Sequence, residues 1–186
     1  MNTIKKISFR AVNSYYLEFN SLYTKENEVI SDEAISAFRI RGAQAIDRLV
    51  DEFNSDYIVD QELIALVLGS MIDLQVRDYA MGITNKNNLN KLNDLWAFLT
   101  NLAPAGAIAP VATLWAITHY ELGNTAIALE ALDIASNDDS EYALTKLIAR
   151  VINAGWQREM FSAMRNELHP KVVEEIYGKV SVDETN

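Results

Sequence analysis

The chain contains no cysteine. Disulfides, thiolate-bound zinc, iron–sulfur clusters and cysteine nucleophiles are excluded at once. Proline and glycine are scarce, at 3 and 7 among 186 residues. So little punctuation favours long helices over many short strands. Long apolar runs are missing as well. The longest nearly apolar stretch, Ala103 to Thr118, is too short for a span and is broken by Pro104 and Pro110. The opening residues MNTIKKISFRAVNSYY carry no apolar signal core and no small-residue cleavage site. These absences lead us to expect a cytoplasmic protein without a membrane partner. Positive charge is missing from one long interval, with no Lys or Arg between Lys91 and Lys146.

What is present is a helical chain of one domain, residues 1–186, with 49% hydrophobic residues and a net charge of −10. That sign argues against direct binding of nucleic acid. The cation-free interval holds Asp94, Glu121, Glu130, Asp133, Asp138, Asp139 and Glu141. A charge run of this kind is usually a solvated face. Its functional reading is an acidic docking surface for a protein partner with a basic surface.

Apolar periodicity predicts eight or nine helices. Residues 1–30 form an N-terminal extension in which 11–23 read as a helix; IKKISF has strand character but is too short for a sheet. A helix over 32–53 has Ser31 as N-cap, and Asp60 caps the next, over 61–82. Leu89 to Leu102 repeat at helical spacing up to Pro104, and Pro110 suits the first turn of a helix reaching Leu122. Gly123 closes that helix and Asn124 caps another ending near Ser136. Asp138 and Glu141 have capping-box spacing for a helix to about Ala154. A helix through Trp156–Leu168 and a final one opened by Pro170 complete the set, and the tail 181–186 is expected to fray. Trp96, Trp115 and Trp156 all sit on apolar stripes and read as core.

The stretch PVATLWAITHYELGNTAIALEALDIA has the features of a tetratricopeptide hairpin. Ala116, Ala128 and Ala135 supply small residues where helices approach, Tyr120 and Leu132 are bulky, and Gly123-Asn124 makes the turn. No regular repeat surrounds it, so the expectation is an irregular all-α array containing one such hairpin.

A longer resemblance is carried by the Arg77-Asp78 pair, Trp96, Ala103-Pro104 and the segment to Pro110. It continues through LW at 114–115, Gly123-Asn124, ALEAL at 128–132 and the Asp139–Tyr142 turn. In order and spacing these features resemble the C-terminal helical half of the actinobacterial domain-of-unknown-function family 4192, over roughly residues 43–165. The resemblance implies an actinobacterial cell, or its phage or plasmid, and brings no activity. Members of that family are typically longer, with an N-terminal α/β half. Chemistry carried by such a half is expected to be missing here.

Residue chemistry adds little. His119 and His169 are the only histidines, and neither stands in a metal spacing. His119 reads as structural or groove-lining, and His169 as a helix-end residue suited to the dipole. No phosphate-binding glycine loop, nucleophile elbow or paired Glu-x-x-His motif occurs. We therefore expect no catalytic residue, no metal and no cofactor. Asp73, Arg77 and Asp78 read as a structural ion pair, with Asp73 and Arg77 four apart on one helix face. Glu121, Glu130, Asp133 and His119 are the candidate partner-binding residues.

The leading expectation is a non-enzymatic interaction module. The alternatives are an acidic nucleic-acid mimic that inhibits a DNA-binding protein, and a small-molecule binder or enzyme with a pocket near Trp96, His119 and Arg77. Surplus apolar residues on 61–82 and 156–168 leave room for a homo-oligomer.

Overall fold

The computed structural model describes residues 6–23, 32–53 and 60–178. Among these residues there are nine α-helices and no strand. They are α1 (Phe9–Tyr23), α2 (Asp32–Glu52), α3 (Gln61–Ser70), α4 (Leu74–Gly82) and α5 (Leu89–Leu102). Then follow α6 (Ile108–Glu121), α7 (Thr125–Asp138), α8 (Ala143–Asn153) and α9 (Arg158–Tyr177). The all-α array expected from periodicity is what the chain forms. The N-cap at Ser31, the loops over 24–31 and 54–57, and the tail over 181–186 lie outside the described residues.

The helices make two groups. Helices α1 to α4 pack on one another, and α5 to α8 form the second group around α6. Helix α9 runs back from the second group and lies on α4 and α2. The N–H of Ile7 donates to the carbonyl of Leu102 at 2.9 Å, tying the start of the described chain to the end of α5.

Helix α6 is the centre of the second group. Its sequence IAPVATLWAITHYE has no polar side to present to water, and Val111 through Leu114 and Ala116 through Tyr120 are buried. A helix that is apolar all round needs neighbours all round. It contacts α5, α7, α8 and α9. The α6–α7 hairpin has the predicted form. Ala116, Ala128 and Ala135 are fully buried, so the backbones approach closely, with Tyr120 and Leu132 buried beside them. Gly123 has φ +89°, its N–H donates to Tyr120, and the N–H of Asn124 donates to His119. This is a Schellman ending, which satisfies carbonyls that the helix leaves open. Asn124 stands at the next N-cap position but makes no side-chain cap bond; its amide nitrogen lies 3.4 Å from the His119 ring.

Four expectations are corrected. The single helix over 61–82 is two helices, broken at Met71–Asp73. Asp73 causes the break: one carboxylate oxygen accepts the N–H groups of Gln75 and Val76, at 2.8 and 3.2 Å. That local capping outcompetes continuation of α3. The apolar stripe runs on through both helices, so periodicity is blind to the break. In the opposite sense, the two helices expected on either side of Pro170 are one, α9. An internal proline costs about 3 kcal/mol. Beyond it, Ile176 is fully buried and Val172 and Val173 pack on the core. At roughly 1.5–3 kcal/mol for each fully buried aliphatic, their burial holds the helix through the proline.

The Asp138 carboxylate does not cap α8. It accepts the N–H groups of Gly106, Ile108 and Ala109 at 2.7, 2.8 and 2.9 Å, and so caps α6 from the far end of the hairpin. Trp156 is not core either. Trp96 is buried and Trp115 half-buried, but Trp156 is exposed just beyond the Schellman ending of α8.

Asp73 serves a second partner, because its other oxygen accepts from Arg39 Nε of α2 at 3.0 Å. Replacing Asp73 with Ala is expected to lower the unfolding free energy by at least the ~1–2 kcal/mol of a lost cap. Asp73→Asn should recover part of that loss in urea titrations. An Ala variant with the wild-type midpoint would refute the capping account.

Candidate functional site

The structure sorts the carboxylates of the cation-free interval by depth. Asp138 is spent on the start of α6. Asp139 accepts the N–H of Glu141 at 2.9 Å, in a local turn. Glu141 meets Lys146 at 2.8 Å, but both side chains are exposed and such a pair is worth little.

Glu121 was expected to face a partner and does not. It sits at the last turn of α6, and its side chain is only 6% exposed. Both of its oxygens receive Arg165 of α9, from Nε at 3.0 Å and from Nη2 at 2.9 Å. The same guanidinium donates through Nη1 to the carbonyls of Gly82 and Thr84, where α4 turns toward α5. This fork is a planar, bidentate grip of the kind arginine is suited to. It joins α9 to both helix groups. Arg165 had no role in the sequence reading. Its one signal was position: it stands four residues after Phe161 on the apolar stripe of α9, an unusual place for a cation.

His119 is also removed from the surface. It is 8% exposed, with its ring 5.4 Å from that of Trp115. Burial lowers its pKa, and the charge of Asp94 opposes the shift. His169 is not at a helix end. It lies within α9, half-buried, with its ring 5.5 Å from that of Tyr79. Its pKa is lowered by burial and then by the Arg165 charge, against the opposing charge of Asp47.

The expected Asp73–Arg77 pair does not form. With Asp73 turned to Arg39, Arg77 is 9% exposed and donates to its neighbour Asp78 from Nε and Nη2, at 2.9 and 2.6 Å. Arg77 also interacts with Tyr142, the residue that precedes α8. It thus links α4 to the second group of helices.

Two candidates remain at the surface. Glu130 and Asp133 are exposed on α7, and among the described residues no ion pair or hydrogen bond engages either side chain. The same helix exposes Ile127, Leu129 and Ile134. Ile127, Glu130 and Ile134 follow i, i+3, i+7 spacing and share one stripe; Leu129 and Asp133, four apart, share the next. The face therefore mixes aliphatic surface with unneutralised negative charge.

Two cavities are also present, of about 250 Å³ between α4 and α9 and about 220 Å³ beside Tyr16, Met71 and Tyr142. Neither is lined by Trp96, His119 or Arg77. In the second, the Tyr16 hydroxyl donates to the Gly106 carbonyl, and burial together with the Asp138 charge pushes its pKa up to about 12. Among the described residues no cluster of His, Asp or Glu is placed to hold a metal ion, and no helix is long and apolar enough to cross a membrane.

The chain belongs to the family described as a domain of unknown function, DUF4192, whose profile matches residues 19–159. The match starts well before residue 43, so it takes in α2, and it stops two residues into α9. No curated protein and no solved structure matches the chain.

Arg165→Met leaves Glu121 buried without a partner, at an expected cost of about 3–5 kcal/mol in chemical denaturation. A double variant, Arg165→Met with Glu121→Leu, should regain much of that loss. A single variant within about 1 kcal/mol of wild type would match an exposed pair and refute the clamp.

Both histidines have folded-state pKa values below the ordinary one, so the unfolded chain binds more protons on acidification. Their contribution to stability is present above the unfolded value of about 6.5 and is lost as pH falls through the lowered folded values. The denaturation midpoint should drop between about pH 7 and pH 5. The drop should shrink when both histidines are replaced by Gln. An identical pH profile in that variant would overturn the assignment.

Proposed function

We propose that the chain is a protein-interaction module, without catalysis of its own, that takes a basic amphipathic helix of a partner along the outer face of α7. The observation that carries this reading is the set of aliphatics Ile127, Leu129 and Ile134, left 37–40% exposed beside the unengaged Glu130 and Asp133. An amphipathic helix whose stripe is flanked by Lys or Arg complements both features. A second copy does not. A two-fold contact centred on this face brings the Glu130 and Asp133 carboxylates of both copies together, and like charges oppose one another. The nucleic-acid-mimic alternative gains less support, because Glu121 and Asp138 are turned inward.

The resemblance directs the search to an actinobacterial cell or its phage. The test is capture from such a lysate by wild type and by the Glu130→Lys/Asp133→Lys variant. A photo-crosslinker at Ser136, exposed on the same helix, would map the contact. The expected result is one partner crosslinked through a basic amphipathic segment, lost from the variant and weakened as salt is raised. The variant should keep its melting temperature. Equal capture by both proteins, or a crosslinked segment without cations, would overturn the reading.

A further inference from the structure

The groove between α4 and α9 is built differently from the α7 face. One side of each helix lines its cavity of about 250 Å³. That is below the ~300–1,000 Å³ of sites for drug-sized ligands, so its size points to a molecule no larger than a single amino acid. Met81, Leu168 and Val172 give the lining an apolar part.

The polar part is unspent. Lys171 and Glu175, both exposed, stand four apart on α9, a spacing at which helical ion pairs form. Neither has an ion-pair or hydrogen-bond partner among the described residues. Asp78 accepts both of Arg77's bonds on Oδ1, which leaves Oδ2 without one among the described residues. The His169 ring lies so close to the α4 backbone that a Cβ at Gly82 would overlap it, and its Nδ1 is buried with no partner. Arg165, at the inner end, is fixed by Glu121 and two carbonyls and is not free to fill the space.

The site therefore offers one uncommitted carboxylate, Glu175, a second, Asp78, whose Oδ2 is open although its Oδ1 is held by Arg77, one uncommitted ammonium and an apolar wall. A simple cation leaves Lys171 unused, and a simple anion leaves Glu175 and the open Oδ2 of Asp78 unused. A zwitterion with an apolar side chain uses all three. We propose that this groove binds a free apolar α-amino acid. Its ammonium is held by Glu175 and Asp78, its carboxylate by Lys171, and its side chain by Met81, Leu168 and Val172.

The test is isothermal titration of the intact protein with L-leucine, L-methionine and L-valine. Leucinamide, which lacks the carboxylate, and N-acetyl-L-leucine, which lacks the ammonium, serve as controls. At least one amino acid should bind saturably, and both leucine derivatives should bind about tenfold more weakly or not at all, the loss of one charge-assisted hydrogen bond. Lys171→Met and Glu175→Gln change exposed side chains and should weaken binding about tenfold each, at unchanged melting temperature.

With two histidines in the chain, the imidazole nitrogen spectrum reports place directly: the His169 resonances should move on titration and those of His119 should not. The Glu130→Lys/Asp133→Lys variant should bind the amino acid as wild type does, which separates this site from the α7 face. No saturable binding by any of the three, equal binding of N-acetyl-L-leucine, or binding unaffected by both α9 substitutions would overturn the proposal.

Discussion

The architecture turns on one guanidinium. Arg165 is the point where α9, the end of α6 and the α4–α5 turn meet, and its side chain is 2% exposed. An arginine taken out of water demands satisfaction of nearly all its donors, or the desolvation cost destroys the fold. The sequence meets that demand from elements far apart in the chain: a carboxylate at the last turn of α6 and two carbonyls left open where α4 ends. The Gly82 carbonyl needs a donor in any case, because the last turn of a helix has none of its own to give it, and the buried Thr84 beyond it is in the same position. The clamp answers both requirements at once, and it fixes where α9 must lie. Everything else that α9 does follows from that placement: the tilted contact of His169 with Tyr79, the burial of Ile176 past the proline, and the groove against α4.

Local and near-local physics was legible in the sequence. The α6–α7 hairpin needs small residues at the crossing and a residue at positive φ in its turn. Alanine and glycine announce both requirements without knowledge of the rest of the chain. What was not legible is competition settled by distant partners. Asp73 looks like the first half of an i, i+4 pair with Arg77, and only the arrival of α2 with Arg39 shows that its two oxygens are used otherwise. Pro170 reads as a helix start because local chemistry says so. Burial of side chains a turn or two beyond it overrules the local preference. Asp138 and Glu141 have the spacing of a capping box, yet the hairpin brings two open N–H groups of α6, and that of Gly106 before it, to Asp138.

The same limit explains the candidate site. Charge pattern along a chain gives sign and extent but not depth. Glu121 and Glu130 are equivalent as letters in a cation-free interval. Their difference is made by α9, which supplies Arg165 to one and nothing to the other. The acidic stretch is accordingly not one surface. Glu121 and Asp138 are consumed in holding helices together, whereas Glu130 and Asp133, on α7, keep unneutralised charge beside exposed aliphatics. The histidines follow the same rule. His119, next to a hairpin turn, was a fair candidate for a groove, but the all-round burial of α6 leaves it no groove to line.

The family match divides these features in a way that bears on what each means. The matched residues 19–159 include α6, α7 and the hairpin turn but leave out nearly all of α9. The α7 face is thus formed entirely by residues within the matched span. The α4–α9 groove is not. One of its walls, and three of the charged groups lining it, come from outside the match. Glu121 lies within the match and Arg165 beyond it, so the clamp itself crosses this boundary. A buried carboxylate at the end of α6 without such a cation would have to be neutralised, replaced or left in water. Helix α9 both covers the end of α6 and brings Arg165 to the carboxylate that it buries. In this chain the cover also builds a cavity.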